Sequence, residues 1–258
     1  MKHKDEKGEI IAIANQKGGV GKTTTAINLG ASLAIAERNV LIVDVDPQAN
    51  STTGLGIQKG SIVNDIYAVL EGKAPIRSAI LDYSLRFLKI VPSSRTLARF
   101  ELEIAGEENN HLYLKKILDE VRGDFDYIIL DSPPSLGLLT INALTASDSV
   151  LIPIQTEYYA LEGLSDLVST IERTKENFNP ELEIKGILLT MFDERTNLSR
   201  QIEEEIRNYF KTKVYSSIIP RNIRLSEAPS FGMPIQLYAI KSAGSIAYMS
   251  LAKEIMSQ

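Results

Sequence analysis

The sequence predicts an α/β fold, an open and mostly parallel twisted sheet with helices on both faces, from three observations. Short β-branched runs alternate with longer amphipathic stretches along nearly the whole chain, in the order strand, helix, strand. Several of those runs are apolar at every position, the pattern of parallel strands buried on both faces. Between them the hydrophobic period changes from that of a strand to that of a helix: Leu114, Ile117, Leu118 and Val121 fall on one helical face. Such alternation builds βαβ units with right-handed crossovers, whose ligands bind at the carboxyl ends of the strands.

In chain order, strands are expected at residues 10–14, 40–45, 87–91, 127–131, 149–154 and 184–191. A helical run over 26–36 follows the first strand. A helix over 197–210 begins with Asn197-Leu198-Ser199 and carries Glu203, Glu204 and Glu205 on a solvated face. A closing amphipathic helix covers 243–256. Residues 1–8 are expected to form a flexible tail and residues 9–258 one domain, since no linker, repeat or low-complexity tract divides them.

Composition narrows the function classes. With 258 residues, 44% hydrophobic and 24% charged, the chain is long enough for one large core and has the make-up of an ordinary globular protein. The absence of cysteine removes disulfides, thiolate metal sites, iron–sulfur clusters and thiol nucleophiles. Apolar runs are short and the opening MKHKDEKGE is charged, so a cytoplasmic protein without a membrane span is expected. A net charge of −5 argues against a surface wholly devoted to nucleic acid. One segment runs against that average: residues 207–224 hold Arg207, Lys211, Lys213, Arg221 and Arg224 and no Asp or Glu.

The chemistry-bearing residues stand just after expected strands. The first strand leads into Lys17-Gly18-Gly19-Val20-Gly21-Lys22-Thr23-Thr24 and then into a helix. Glycines there let successive N–H groups turn inward around a phosphate, and the helix N-terminus adds the positive end of its dipole. Lys22 is placed to reach the β- and γ-phosphates and Thr23 to ligate Mg²⁺. In the general Walker A pattern a glycine stands five residues before the glycine of the Gly-Lys pair; here no glycine holds that place, and Lys17 stands one residue before the first loop glycine, Gly18. The second strand closes on Asp44-Val45-Asp46-Pro47-Gln48, two carboxylates at period 2. Beside a phosphate loop, such groups hold a Mg²⁺-bound water or orient an attacking one. The strand over 127–131 closes on Asp131, the placement of a Walker B aspartate, and residues 132–137 can form a loop that senses the γ-phosphate.

These stretches resemble the deviant Walker A branch of P-loop NTPases, and within it the ParA/Soj chromosome-partitioning ATPases, along nearly the whole chain. Besides the loop and the acidic strand ends, the resemblance covers Ala49-Asn50, Ser132-Pro133-Pro134, Arg195-Thr196-Asn197-Leu198 and the stretch from Ile219 to Ser230. It implies ATP and Mg²⁺ as cofactors and an ATP-sandwich homodimer in which Lys17 reaches the phosphates bound by the other copy. It implies that Asp46 polarises the attacking water, that Asp44 and Asp131 organise the Mg²⁺ shell, and that Gly18 lies where the dimer leaves no room for a side chain. Gly19, Val20, Gly21 and Thr24 complete the phosphate cradle, and Met191, Pro220 and Asn222 look like adenine-pocket residues.

The same resemblance implies binding of double-stranded DNA without sequence preference once dimerised, with Arg195 and Arg224 at matching positions and Arg207, Lys213 and Arg221 beside them. A ParB-type centromere-binding protein would stimulate slow hydrolysis, and the protein would be nucleoid-associated rather than membrane-bound. A membrane-positioning relative needs a basic, bulky terminal amphipathic helix, whereas the stretch after Ala243 has Lys253 as its one base. His3 and His111 have no metal-ligand companions, and Tyr158 and Tyr159 read as packing residues.

Overall fold

The computed structural model describes residues 7–157 and 160–258. The expectations for His3, for Tyr158 and Tyr159 and for residues 1–6 of the tail lie outside the described residues. Gly8, assigned to the tail from sequence, is buried: its carbonyl accepts a hydrogen bond from Arg122 Nε (2.7 Å).

One sheet contains β1 (Glu9–Ile13), β2 (Val40–Asp44), β3 (Leu81–Asp82), β4 (Leu88–Val91), β5 (Tyr127–Asp131), β6 (Ser149–Gln155) and β7 (Glu183–Thr190). Their spatial order is β3-β4-β2-β5-β1-β6-β7, and every neighbouring pair is parallel except β3 with β4. The six expected strands are present, with ends shifted by a residue or so. Hairpin partner β3 was missed because two residues, one half-buried and one exposed, are too short to show a period.

The helices are α1 (Lys22–Ile35), α2 (Asn50–Gly54), α3 (Ile66–Leu70), α4 (Ile76–Ala79), α5 (Leu97–Ile104), α6 (Tyr113–Asp119), α7 (Leu138–Ala146) and α8 (Ala160–Asn177), then α9 (Asn197–Phe210), α10 (Ile223–Glu227), α11 (Ile235–Tyr238) and α12 (Ala243–Ile255). α6 ends before Val121, which is nevertheless buried in the following turn. The helical face read from the sequence is therefore right and its length is not.

Alternate strand residues point to opposite faces, so the sheet divides its apolar side chains between two layers. Ile11 and Ile13 of β1, Ile42 of β2 and Ile129 of β5 meet α1 and α12 on one side. On the other, Ile10, Leu41, Val43 and Ile128 meet α3, α5, α6 and α7, while Ala12, Val150 and Ile152 meet α8 and α9. Gly30 lets α1 lie close on the sheet, since a Cβ there would stand 2.8 Å from Ile42 Cδ1. α12 buries Tyr248, Leu251, Ala252 and Ile255. Most of its apolar surface is thus spent on the core, with Ile246 and Met249 left exposed.

Register fixes where the chemistry collects. Ile13 of β1 and Asp44 of β2 both stand opposite Asp131 of β5, so three strands end at one level. The loops that follow them share one edge of the sheet.

Candidate active site

The loop between β1 and α1 forms an open cradle. Gly19 (φ 78°) and Gly21 (φ 92°) adopt left-handed backbone, which turns the chain sharply enough to aim its N–H groups inward. Gly21 is the N-cap of α1 and no side chain among the described residues caps that helix, so the donors of its first turn are left for a ligand. The Lys22 side chain is buried, with Nζ donating to the Lys17 carbonyl (3.0 Å). Burial pushes the Lys22 ammonium below its usual range, while Asp131 and Asp46 nearby draw it back up. Thr190 Oγ1 donates to the Val20 carbonyl (2.8 Å) and ties the cradle to the end of β7.

Three aspartates stand behind the cradle in different settings. Asp131 is fully buried; its Oδ2 accepts from Ser51 Oγ (2.7 Å) and its Oδ1 has no hydrogen-bond partner among the described residues. Burial raises its pKa to about 6, against the lowering effect of the Ser51 and Thr23 hydroxyls. An unpartnered buried carboxylate oxygen beside a threonine hydroxyl fits a hard cation that fills the rest of its shell with phosphate oxygens and water. Asp46 lies on the cleft, and its Oδ1 accepts from the Gln48 N–H (2.8 Å). Asp44 does not line the cleft: its Oδ2 takes the Thr52 N–H (2.8 Å) and hydroxyl (2.7 Å), and its Oδ1 the Asp46 N–H (3.2 Å). Burial first, and then the charge of Asp131, push its carboxyl up to about 8.

The cleft in front of the cradle measures about 630 Å³, within the range of small-molecule sites. It brings Gly18, Gly19, Gly21, Lys22, Thr23, Thr24 and Asp46 together with Met191, Pro220, Arg221 and Asn222. The loop carrying Pro220 reaches this position by running beside β7: Ile219 N–H donates to the Leu189 carbonyl (2.9 Å) and Arg221 N–H to the Phe192 carbonyl (3.0 Å). Sequence reasoning missed Gln48, Asn50, Thr190 and Tyr248, which also line the cleft. Asn50 and Gln48 adjoin Asp46 in the chain and were findable by proximity; Tyr248 is buried on a remote helix and was not.

Lys17 stands apart. It is exposed, does not line the cleft, and its ammonium pairs with the Glu157 carboxylate across the end of β6. The basic residues split into two groups. Arg195, Arg221 and Arg224 are exposed near the carboxyl end of β7. Arg195 makes a forked pair with Asp193 (2.8 and 2.7 Å), which holds that carboxyl at about 2, and Arg224 pairs with Glu227 (2.8 Å). Lys213 lies lower, next to Val214, whose bridge is to Ile187 in the middle of β7. Arg207 is half-buried and engaged, donating to Glu203 (2.8 Å) and to the Tyr215 carbonyl (3.3 Å).

Comparison with known proteins places this site among relatives. Residues 8–184 match a family model described as an AAA domain. The chain is 54% identical over 251 residues to the chromosome partitioning protein ParA of Myxococcus xanthus, covering 97% of this chain and 89% of that protein. It is 53% identical over 248 residues to the sporulation initiation inhibitor protein Soj of Bacillus subtilis, covering 96% and 98%. Among solved structures, cobyrinic acid a,c-diamide synthase from Mycobacterium smegmatis, with a bound ATP analog and magnesium, superposes with a TM-score of 0.85 at 34% identity, covering 96% of this chain and 94% of that one.

Proposed function

From the chain's membership of the ParA/Soj family of chromosome-partitioning ATPases, we propose that it is an ATP-driven switch for DNA partitioning. ATP with Mg²⁺ joins two copies into a sandwich, and the dimer holds double-stranded DNA without regard to sequence. A ParB-type centromere-binding partner then stimulates slow hydrolysis and resets the cycle. Residues 9–258 act as one ATPase domain, cytoplasmic and associated with the nucleoid through DNA.

The observation that carries this reading is Lys22: a buried cation, flanked by Asp46 and Asp131, whose one hydrogen-bond acceptor among the described residues is a neutral carbonyl. Phosphate oxygens supply the acceptors it lacks. In this reading the open N–H groups at the start of α1 and Lys22 hold the β- and γ-phosphates, and Met191, Pro220 and Asn222 border the base. Thr23 and Asp131 hold Mg²⁺, with Asp44 buttressing from behind; the bound ion neutralises charge on the transferring phosphoryl group. Asp46 aligns the water, and Lys17, released from Glu157, reaches across to the other copy. Arg195, Arg221 and Arg224 meet DNA phosphates directly, with Lys213 farther out, while the engagement of Arg207 favours a holding role.

The test is binding of Asp46→Ala to random-sequence duplex DNA with ATP and with ADP across a salt series, with Arg224→Glu as control. Binding with ATP alone, steeply weakened by salt and lost in the control, is the expected result. Equal binding with both nucleotides, or none with either, overturns the DNA-switch reading.

A further inference from the structure

We propose that Ser93, in the loop after β4, is a positioning residue for Asp46, acting through a closed ring of hydrogen bonds with Thr52 and Asp44. The inference rests on the reading of Asp46 as the group that aligns the attacking water.

The ring joins three separate stretches of chain. Ser93 Oγ donates to the Asp46 carbonyl (2.9 Å), and the Asp46 N–H donates to Asp44 Oδ1 (3.2 Å). Asp44 Oδ2 accepts both the N–H (2.8 Å) and the hydroxyl (2.7 Å) of Thr52. Thr52 Oγ1 in turn accepts the Ser93 N–H (2.9 Å), which closes the circuit. All four residues are buried, with Ser93 1% and Thr52 0% exposed. Water therefore does not compete for these bonds, and loss of the Thr52 hydroxyl leaves the Ser93 N–H unsatisfied in the interior.

The consequence is local and specific. Asp46 sits outside any regular element, just beyond the end of β2, where no sheet ladder holds its peptide groups. The ring grips its N–H through Asp44 and its carbonyl through Ser93, beside the bond that the same carbonyl accepts from the Ala49 N–H of the turn (2.9 Å). Its carboxylate, by contrast, is tied to the adjacent turn through the Gln48 N–H (2.8 Å) and stays on the cleft. Ser51, next to Thr52 on α2, donates to Asp131 Oδ2 (2.7 Å), so one short helix sets the heights of both acidic strand ends. Phosphoryl transfer depends on positioning, and a displacement of about 1 Å in a reacting group costs on the order of a hundredfold in rate. A hydroxyl at position 93 is therefore worth more to hydrolysis than to nucleotide binding, which uses the cradle and Lys22.

The experiment compares Ser93→Ala, Thr52→Val and Asp46→Ala with the wild-type chain. It measures single-turnover hydrolysis of Mg²⁺-ATP with duplex DNA present, equilibrium binding of a fluorescent ATP analogue, and thermal melting. Ser93→Ala is expected to hydrolyse roughly ten- to a hundredfold more slowly. It binds the analogue within about twofold of wild type, the split of a group that acts on the transition state. Thr52→Val, which keeps the shape and removes the hydroxyl, shows the same split, so an unfolded Ser93→Ala does not leave the matter open. Combined with Asp46→Ala, neither variant slows hydrolysis further. Wild-type hydrolysis in Ser93→Ala and Thr52→Val beside a slow Asp46→Ala overturns the positioning role, as does a loss of binding that matches the loss of rate. A wild-type rate in Asp46→Ala instead overturns the reading of Asp46 itself, and the role of Ser93 with it.

Discussion

Gly18 shows how a single position can be silent in the protomer and still carry a requirement. Among the described residues a Cβ built there meets nothing within 4 Å, so they leave room for a side chain. The proposed sandwich places a second copy against that surface, and the requirement for glycine belongs to the dimer. Gly18→Val is expected to melt at the wild-type temperature yet fail to dimerise with ATP, read by light scattering on a sizing column. Lys17 makes the same point in the other direction. From sequence it is one of a run of loop residues, but its pairing with Glu157, 140 positions away, depends on β1 and β6 being neighbours in the sheet. Both side chains are nearly half exposed, so the pair is worth little and is easily exchanged for a phosphate partner.

At the scale of elements, the ends of β2 and β5 bring Asp44 and Asp131 into register, two carboxyls that burial holds partly protonated. In the unfolded chain both lose their protons near pH 4, whereas in the fold Asp131 keeps its proton to about 6 and Asp44 to about 8. Between those limits the folded state binds more protons than the unfolded one, so stability from this pair is complete below the unfolded pKa and is lost as pH rises through the folded values. The nucleotide-free protein is expected to melt at lower temperature at pH 8 than at pH 5, by a few degrees, and less so in Asp131→Asn; melting across a pH series checks it. Mg²⁺-ATP favours the charged carboxyls, so its stabilising effect is expected to be larger at the higher pH. The packing of α1 on the sheet gives a second prediction. Gly30→Val drives a side chain into Ile42, and overpacking of this kind costs about 1–3 kcal/mol, measurable as a lowered urea midpoint.

For the whole molecule, the three arginines near the carboxyl end of β7 matter because they share an edge with the cleft. If a dimer presents Arg195, Arg221 and Arg224 twice, about six phosphate contacts form and log K falls with log salt at a slope of roughly −5. Fluorescence anisotropy of labelled duplex across a salt series measures that slope, and Arg224→Ala, which removes one contact per copy without reversing its charge, is expected to make it shallower by roughly 2. Arg195 and Arg224 are each held by a carboxylate of their own chain, Asp193 and Glu227, so DNA must displace two weak exposed pairs per copy.

Much of this is legible in the sequence. The phosphate loop, the acidic ends of β2 and β5 and the start of α9 at Asn197 are contiguous signals, set by neighbours in the chain through backbone sterics and hydrophobic period. They fixed the fold class and the position of the cradle. The sequence carries no such signal for contacts between distant stretches: Ser93 with Thr52 and Asp46, Tyr248 in the cleft, or the hairpin β3. It also placed Asp44 beside the phosphates, whereas the fold turns its carboxylate toward Thr52, because a strand end is aimed by what packs around it. By itself the sequence determined the six parallel strands, the helices α1, α6, α9 and α12 and the phosphate cradle, since those follow from local periodicity and glycine geometry. Only the tertiary structure decided which carboxylates face the cleft and which hydroxyls hold them there, because sheet order and register bring together residues that the chain keeps far apart.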